Sequence, residues 1–244
     1  MSVLDKFRKP SSAKINKCAA VIVAAGASQR MGCDKILAEF GGMPVIARTV
    51  SVFEKCQNIN EIIIVTRSES IVPVADICKK YGFQKVSKVI CGGSTRAESA
   101  LAGVCEVRPK TKLIAIHDGA RPLVTEPLIV SVIDAAAEHI AAAPAVPATD
   151  TIKLVDEEGA VTETVDRDRA VLMQTPQVFN ASIIKGALTR AAEKGLKITD
   201  DCAAVEAIGV KVYTVPGEEW NIKLTRPMDL VIAEKILADR GEDA

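Results

Sequence analysis

Arg30 and Lys35 stand five positions apart at the end of VIVAAGASQRMGCDK, Val21 to Lys35, a stretch that runs from an apolar segment through Ala-Ala-Gly into a polar loop. Small residues after a strand let backbone N–H groups approach a ligand, and loops at the C-terminal edge of a sheet commonly hold phosphates. Two cations above such a loop can clamp a polyphosphate and offset the charge that builds on it in a transition state. By themselves they read more readily as solvated surface residues, and the rest of the chain shifts that balance. A second candidate is HDGARP, His117 to Pro122, where Asp118 and Arg121 follow the apolar run KLIAI. Asp118 there suits Mg²⁺ or a substrate hydroxyl, and it also suits a plain turn cap. Two familiar nucleotide fingerprints fail: Ser28 stands at the second glycine of G-x-G-x-x-G, and the P-loop spacing is not met.

The segments that must position these residues alternate between short β-branched runs and longer stretches of helical period. AAVIVAA, PVIARTVSVFEKC, EIIIVT, IVPVADICKKYG, KVSKVICGG, STRAESALAGVCEV and KLIAIHD follow one another in that rhythm. This is the pattern of βαβ units, hence an α/β fold with a mostly parallel sheet covered by helices on both faces. The helix from Pro44 places Val45, Ile46, Thr49, Val50 and Phe53 on one stripe, and T-R-A-E predicts a capping box between Thr95 and Glu98. After AAAEHIAAAPAVPATD the rhythm changes, and DTIKLV and AVTETVD around DEEG read as a hairpin, an arm inserted at about 148–172. A helix over 181–194, a strand VKVYTV and a last helix PMDLVIAEKILADR complete the chain. One domain over 18–244 is expected, after a flexible tail over 1–17.

The 244 residues suffice for one sizeable core, and 31 acids balance 31 bases. That balance argues against a nucleic-acid-coating or membrane-surface protein. No run is long enough to span a bilayer, so neither nucleic acid nor membrane is an expected partner. Seven widely spaced cysteines without a C-x-x-C pair argue against a disulfide framework or a zinc site and for a reducing, cytoplasmic setting. His117 and His139 lack ligand partners at useful spacing, Cys33 reads as a small loop residue, and Trp220 as a packing anchor.

AAGASQRMGCDK, CGGSTRAESALAG, HDGARP, VDRDRAVLMQTPQVF, ITDD and NIKLTRPMDL resemble, in order and approximate spacing, the 2-C-methyl-D-erythritol 4-phosphate cytidylyltransferases of the non-mevalonate isoprenoid pathway. The resemblance runs from about Ala19 to Ile236. It implies a Rossmann-like nucleotidyltransferase fold, a homodimer joined through a protruding β-hairpin arm, and transfer of CMP from CTP to methylerythritol phosphate with loss of pyrophosphate. Mg²⁺, or another divalent cation, is implied across the triphosphate, with Asp118 as a candidate ligand.

Position by position, the resemblance makes Arg30, Lys35, Arg167 and Lys223 the catalytic cations, Lys223 also touching the α-phosphate of CTP. Ala24, Ala25, Gly26, Gly93, Ser99 and Gly119 would bind CTP. Asp118, Arg121, Arg167, Thr175 and Thr199 would hold the polyol phosphate, with Arg167 presented by the arm across the dimer interface. Two alternatives remain at this stage: a ribitol 5-phosphate cytidylyltransferase, or a nucleotide-binding regulatory protein without catalysis.

Overall fold

The computed structural model describes residues 16–26 and 36–241. Expectations for Arg30, Cys33 and Lys35, and for residues 1–15 of the tail, lie outside the described residues. Asn16 and Lys17, also assigned to the tail, are tied to the body: Asn16 Nδ2 donates to Asp134 Oδ1 at 3.0 Å and Lys17 Nζ to Gln57 O at 2.9 Å.

The chain begins with β1 (Cys18–Val23) and, beyond the undescribed segment, a short ribbon of β2 (Glu39–Phe40) and β3 (Met43–Pro44). Then come α1 (Val45–Lys55), β4 (Ile59–Thr66), α2 (Ile71–Lys80), β5 (Val86–Cys91), α3 (Arg96–Cys105), β6 (Leu113–Asp118), α4 (Glu126–His139) and β7 (Ala141–Pro147). The hairpin β8 (Lys153–Val155) and β9 (Val161–Thr164) is followed by β10 (Val171–Met173), β11 (Gln177–Asn180), α5 (Ala181–Glu193), α6 (Asp201–Glu206), β12 (Tyr213–Pro216) and α7 (Pro227–Asp239).

Among the described residues, the main sheet runs β10-β7-β11-β6-β1-β4-β5, with β12 on the other edge of β7. β6, β1, β4 and β5 are parallel neighbours, as continuous apolar strands between two helical layers require. β11 runs antiparallel between β6 and β7, and β10 antiparallel to β7; between them the Thr175–Pro176 peptide is cis. The sheet is therefore mixed on one side, and mostly parallel where the loops of interest leave it.

The period of two in β1 divides the core. Cys18, Ala20 and Ile22 face α1, α2 and α4, whereas Val21 and Val23 face α3, α5 and α6. The predicted stripe of α1 holds: Val45, Ile46, Thr49, Val50 and Phe53 are all buried. Emptying that stripe by Phe53→Ala would cost about 3–5 kcal/mol. α3 rides so close to the sheet that a Cβ on Gly103 would sit 2.3 Å from Val21 Cγ1 and 2.8 Å from Val65 Cγ2, so only glycine allows the approach. α7 packs through Ala233 and Leu237 on Phe40, Val45, Leu123 and Leu224.

The hairpin predicted after the alanine-rich stretch is present, with Lys153 opposite Thr164 and Leu154 opposite Glu163. It leaves Leu154, Val155 and Val161 exposed, as it does Val171 and Leu172 at its base. Among the described residues, no helix is long and apolar enough to cross a membrane, and Cys18, Cys56, Cys78, Cys91, Cys105 and Cys202 are free thiols.

Candidate active site

Three loops leave the C-terminal ends of β1, β5 and β6 side by side. Ala24 N–H donates to Val65 O at 2.7 Å, Gly92 N–H to Thr66 O at 2.8 Å, and Gly119 N–H to Val23 O at 2.8 Å. The β1 and β5 loops touch: a Cβ on Gly92 would lie 2.7 Å from Ala25 Cβ and 2.6 Å from Ser99 Oγ. Gly119 stands beside Ala24, and its carbonyl accepts from the buried Thr49 hydroxyl at 3.0 Å. Ala24, Ala25, Gly26, Gly93 and Gly119 thus converge on one edge of the sheet, where small residues leave backbone groups approachable. Ser99 is buried, and its hydroxyl donates to Thr95 O at 2.9 Å with Gly93 O at 3.4 Å. Its part is to shape the glycine loop from behind.

The Thr95 cap is half of the predicted box. Thr95 Oγ1 accepts from Glu98 N–H at 3.1 Å, while the Glu98 carboxylate turns to Ser94, accepting from its N–H at 2.8 Å and its hydroxyl at 2.7 Å. Ser94 is the stronger donor to that carboxylate, and the Thr95 backbone N–H contributes less.

Asp118, the last residue of β6, gathers cations from three elements. Its Oδ1 lies 3.1 Å from Arg96 Nε at the start of α3, and its Oδ2 lies 2.7 Å from Lys223 Nζ in the loop before α7. Arg121 Nε is 3.8 Å from the same Oδ2, beyond hydrogen-bond reach, while Arg121 Nη1 donates to Asn221 O at 2.6 Å. Burial penalises the Asp118 charge, yet Arg96, Lys223 and Arg121 outweigh it and hold the carboxyl well below its ordinary range. Arg121 itself is pulled down by burial against the attraction of Asp118.

A buried hydrogen-bond chain fixes the backbone of this cluster. Asp118 N–H donates to Thr175 Oγ1 at 3.1 Å, which leaves the threonine hydrogen for His117 Nδ1 at 2.9 Å. The imidazole then carries its proton on Nε2 and donates to Arg121 O at 3.2 Å. Burial keeps this ring neutral, its pKa lowered to about 3. Asn221 Nδ2 donates to Thr175 O at 2.9 Å and so binds the Lys223 loop to the turn at Thr175.

A second acid stands behind the first. Asp201, fully buried at the start of α6, has Oδ2 2.8 Å from Arg96 Nη1. Gln177 ties that segment to the sheet, its Oε1 accepting from Asp201 N–H and Cys202 N–H, each at 3.1 Å, and its Nε2 donating to Asp200 Oδ2 at 2.7 Å.

The structure therefore joins Asp118, Arg121, Thr175 and Lys223 in one cluster. Thr199 is exposed in the loop that leads into Asp200. Arg167 stays on the arm, exposed, its Nη1 donating to Thr149 O at 3.3 Å. Both oxygens of Asp118 are engaged by cations, Oδ1 by Arg96 and Oδ2 by Lys223, so a divalent ion at Oδ2 would share that oxygen with Lys223 or take its place. No group of three or more His, Cys, Asp and Glu side chains that would hold a metal occurs among the described residues. Trp220, expected as a packing anchor, is half exposed, with Arg240 Cζ 5.1 Å from its ring centroid.

Arg96 and Asp201 were missed in the sequence. A cation at the first position of a helix opposes the helix dipole, and that mismatch inside STRAES was the one signal that Arg96 answers to carboxylates elsewhere.

The family model of 2-C-methyl-D-erythritol 4-phosphate cytidylyltransferase (IspD) matches residues 18–239. The chain belongs to this family. The protein of that name from Halalkalibacterium halodurans is 41% identical over 222 residues, covering 90% of this chain and 96% of the relative. That of Alkaliphilus metalliredigens is 42% identical over 230 residues, covering 93% and 95%. The crystal structure of 4-diphosphocytidyl-2C-methyl-D-erythritol synthase from Anaerococcus prevotii superposes with a TM-score of 0.81 at 31% identity, covering 91% of this chain and 96% of the other.

Proposed function

We propose that the protein transfers CMP from CTP to 2-C-methyl-D-erythritol 4-phosphate and releases pyrophosphate. The observation that carries this reading is the position of Lys223 Nζ, tethered 2.7 Å from Asp118 Oδ2 at the sheet edge where the β1, β5 and β6 loops meet. A triphosphate laid along Ala24 to Gly26 and Gly93 brings its α-phosphorus toward that ammonium. An oxygen of the polyol phosphate attacks the α-phosphorus in line, and the bond from it to the bridging oxygen of pyrophosphate breaks. The attacking phosphate is already ionised near neutral pH, so no nucleophilic side chain and no general base is required. What the protein supplies is alignment and fixed positive charge.

Lys223 bears on the α-phosphate, and Arg30 and Lys35, on the strength of their motif, on the charge that grows on the transferring and leaving phosphates. Asp118, Arg121, Thr175 and Thr199 receive the polyol phosphate, with Arg167 arriving from the arm of a second copy. The exposed apolar residues of the arm, Leu154, Val155, Val161, Val171 and Leu172, support a homodimer joined there. A divalent cation would supply further neutralisation of the triphosphate charge, and Asp118, whose carboxylate already faces Arg96 and Lys223, is the acid at this edge that would meet it. Free thiols at Cys18 and Cys56 in the core, together with the balanced charge, support a reducing, cytoplasmic setting.

The test is pyrophosphate release by the purified protein with Mg²⁺ and CTP, offered methylerythritol phosphate and ribitol 5-phosphate in parallel. Release with methylerythritol phosphate alone is the expected result. Release only with ribitol phosphate would move the protein to another pathway, and silence with both would contradict catalysis.

A further inference from the structure

The Asp201 carboxylate lies behind the Asp118 cluster. It is fully buried, Arg96 is its ion-pair partner at 2.8 Å, and its Oδ1 has no hydrogen-bond partner among the described residues. A carboxylate in such a place is costly, and a well-packed apolar side chain would serve stability as well or better. Burial pushes its pKa up even against the pull of Arg96. Something other than packing keeps it there.

Its partner does not end the chain of contacts. Arg96 uses Nη1 on Asp201 and Nε on Asp118 Oδ1, while Asp118 gives Oδ2 to Lys223. A guanidinium is a planar fork with donors fixed in direction, so anchoring one edge orients the other. Asp201 is itself held rigidly, because Gln177 Oε1 accepts from its backbone N–H and Gln177 Nε2 fixes Asp200.

We propose that Asp201 and Arg96 are positioning residues: Asp201 restrains the Arg96 fork so that it takes only Oδ1 of Asp118 and leaves Oδ2 to set the place of Lys223. Without Asp201, Arg96 turns one edge of its fork bidentate onto both oxygens of Asp118 and competes with Lys223 for Oδ2. This inference rests on the cytidylyl-transfer reading for its consequence in catalysis, and on geometry alone for its effect on Lys223.

Two measurements test it. In the first, kcat and KM are measured for Asp201→Asn, Arg96→Lys and the double variant, per folded active site. Each single variant is expected to lose about tenfold in kcat with KM for CTP changed less than about threefold, and the double to be no worse than the poorer single, as coupled residues behave. Asp201→Glu should recover part of the loss. Glu61→Gln, which breaks the pair of the buried Glu61 with the exposed Arg108 on another part of the sheet, should lower the melting temperature and spare kcat. Losses that add in the double variant, or an Asp201→Asn enzyme with wild-type kcat and a lower melting temperature only, would overturn the proposal. Should Asp201→Asn not fold, Arg96→Gln carries the same expectation, and wild-type kcat there would overturn it.

The second measurement needs no turnover. Competitive acylation of the free protein compares the Lys223 amine with the exposed Lys194, and in Asp201→Asn the relative labelling of Lys223 should rise about threefold as its hold on Asp118 loosens. Unchanged labelling would overturn the proposal even in an active enzyme. An inactive wild type whose Lys223 labelling still responds to Asp201→Asn would instead sink the catalytic reading and leave the positioning chain standing.

Discussion

Lys223 Nζ lies 2.7 Å from Asp118 Oδ2, so a lysine from the loop before the last helix is held at the end of a central strand. The pair is partly solvated on the lysine side, with Lys223 37% exposed and Asp118 9%. An ammonium so placed can trade its carboxylate for a phosphate without crossing a hydrophobic barrier. Lys223→Ala should therefore lower kcat about a hundredfold or more, as loss of one preorganised transition-state donor does. KM for CTP should move much less. Steady-state kinetics decide, and equal losses in both constants would assign Lys223 to ground-state binding.

His117 predicts a pH dependence of stability. Its folded pKa, lowered to about 3 by burial, lies below its unfolded value of about 6.5. The stability it contributes is complete above the unfolded value and is lost as pH falls toward the folded one. Between pH 6.5 and 5 that loss is about 2 kcal/mol. Urea unfolding at pH 7 and pH 5 should show this slope in the wild type and most of it gone in His117→Gln, and a slope that survives the substitution would place its origin elsewhere.

The β1 and β5 loops meet at Gly92. A methyl there would stand 2.7 Å from Ala25 Cβ and 2.6 Å from Ser99 Oγ, so Gly92→Ala must part the two loops. KM for CTP should rise about tenfold with thermal stability reduced only modestly, since the loops lie at the sheet edge. Isothermal titration of CTP checks this, and unchanged affinity would separate these loops from the nucleotide.

The sequence made the parallel half of the sheet legible because its strands are continuous apolar runs and its helices carry clean stripes, as α1 does. β7 was not legible: AAAPAVP has weak strand propensity and a proline that cannot donate to a ladder. Yet β7 pairs along both edges, and Pro144 takes part through its carbonyl, which accepts from Gln174 N–H at 2.8 Å. Tertiary pairing overrides propensity there. In the site, Asp118, Arg121, Thr175 and Lys223 were readable from motifs. The Arg96 and Asp201 contacts were not, because α3 and α6 meet through tertiary packing that spacing along the chain does not reveal.

The arm predicts assembly. Leu172, 52% exposed at its base, and Val155 and Val161, 57% and 60% exposed on the hairpin, form an apolar surface that a second copy would cover. Leu172→Glu should shift the protein toward monomer in sedimentation and, because Arg167 sits on the same arm, raise KM for the polyol phosphate while sparing CTP binding. A monomeric variant with unaltered kinetics would remove Arg167 from the site.

In the proposed reaction a substrate phosphate oxygen attacks the α-phosphorus of CTP. Methylerythritol phosphate carrying ¹⁸O in its phosphate, turned over with unlabelled CTP and followed by ³¹P NMR, tests it most directly. ¹⁸O is expected at the bridge of the new diphosphate, with pyrophosphate unlabelled. Label in pyrophosphate, or a bridge formed from unlabelled oxygen, would contradict it.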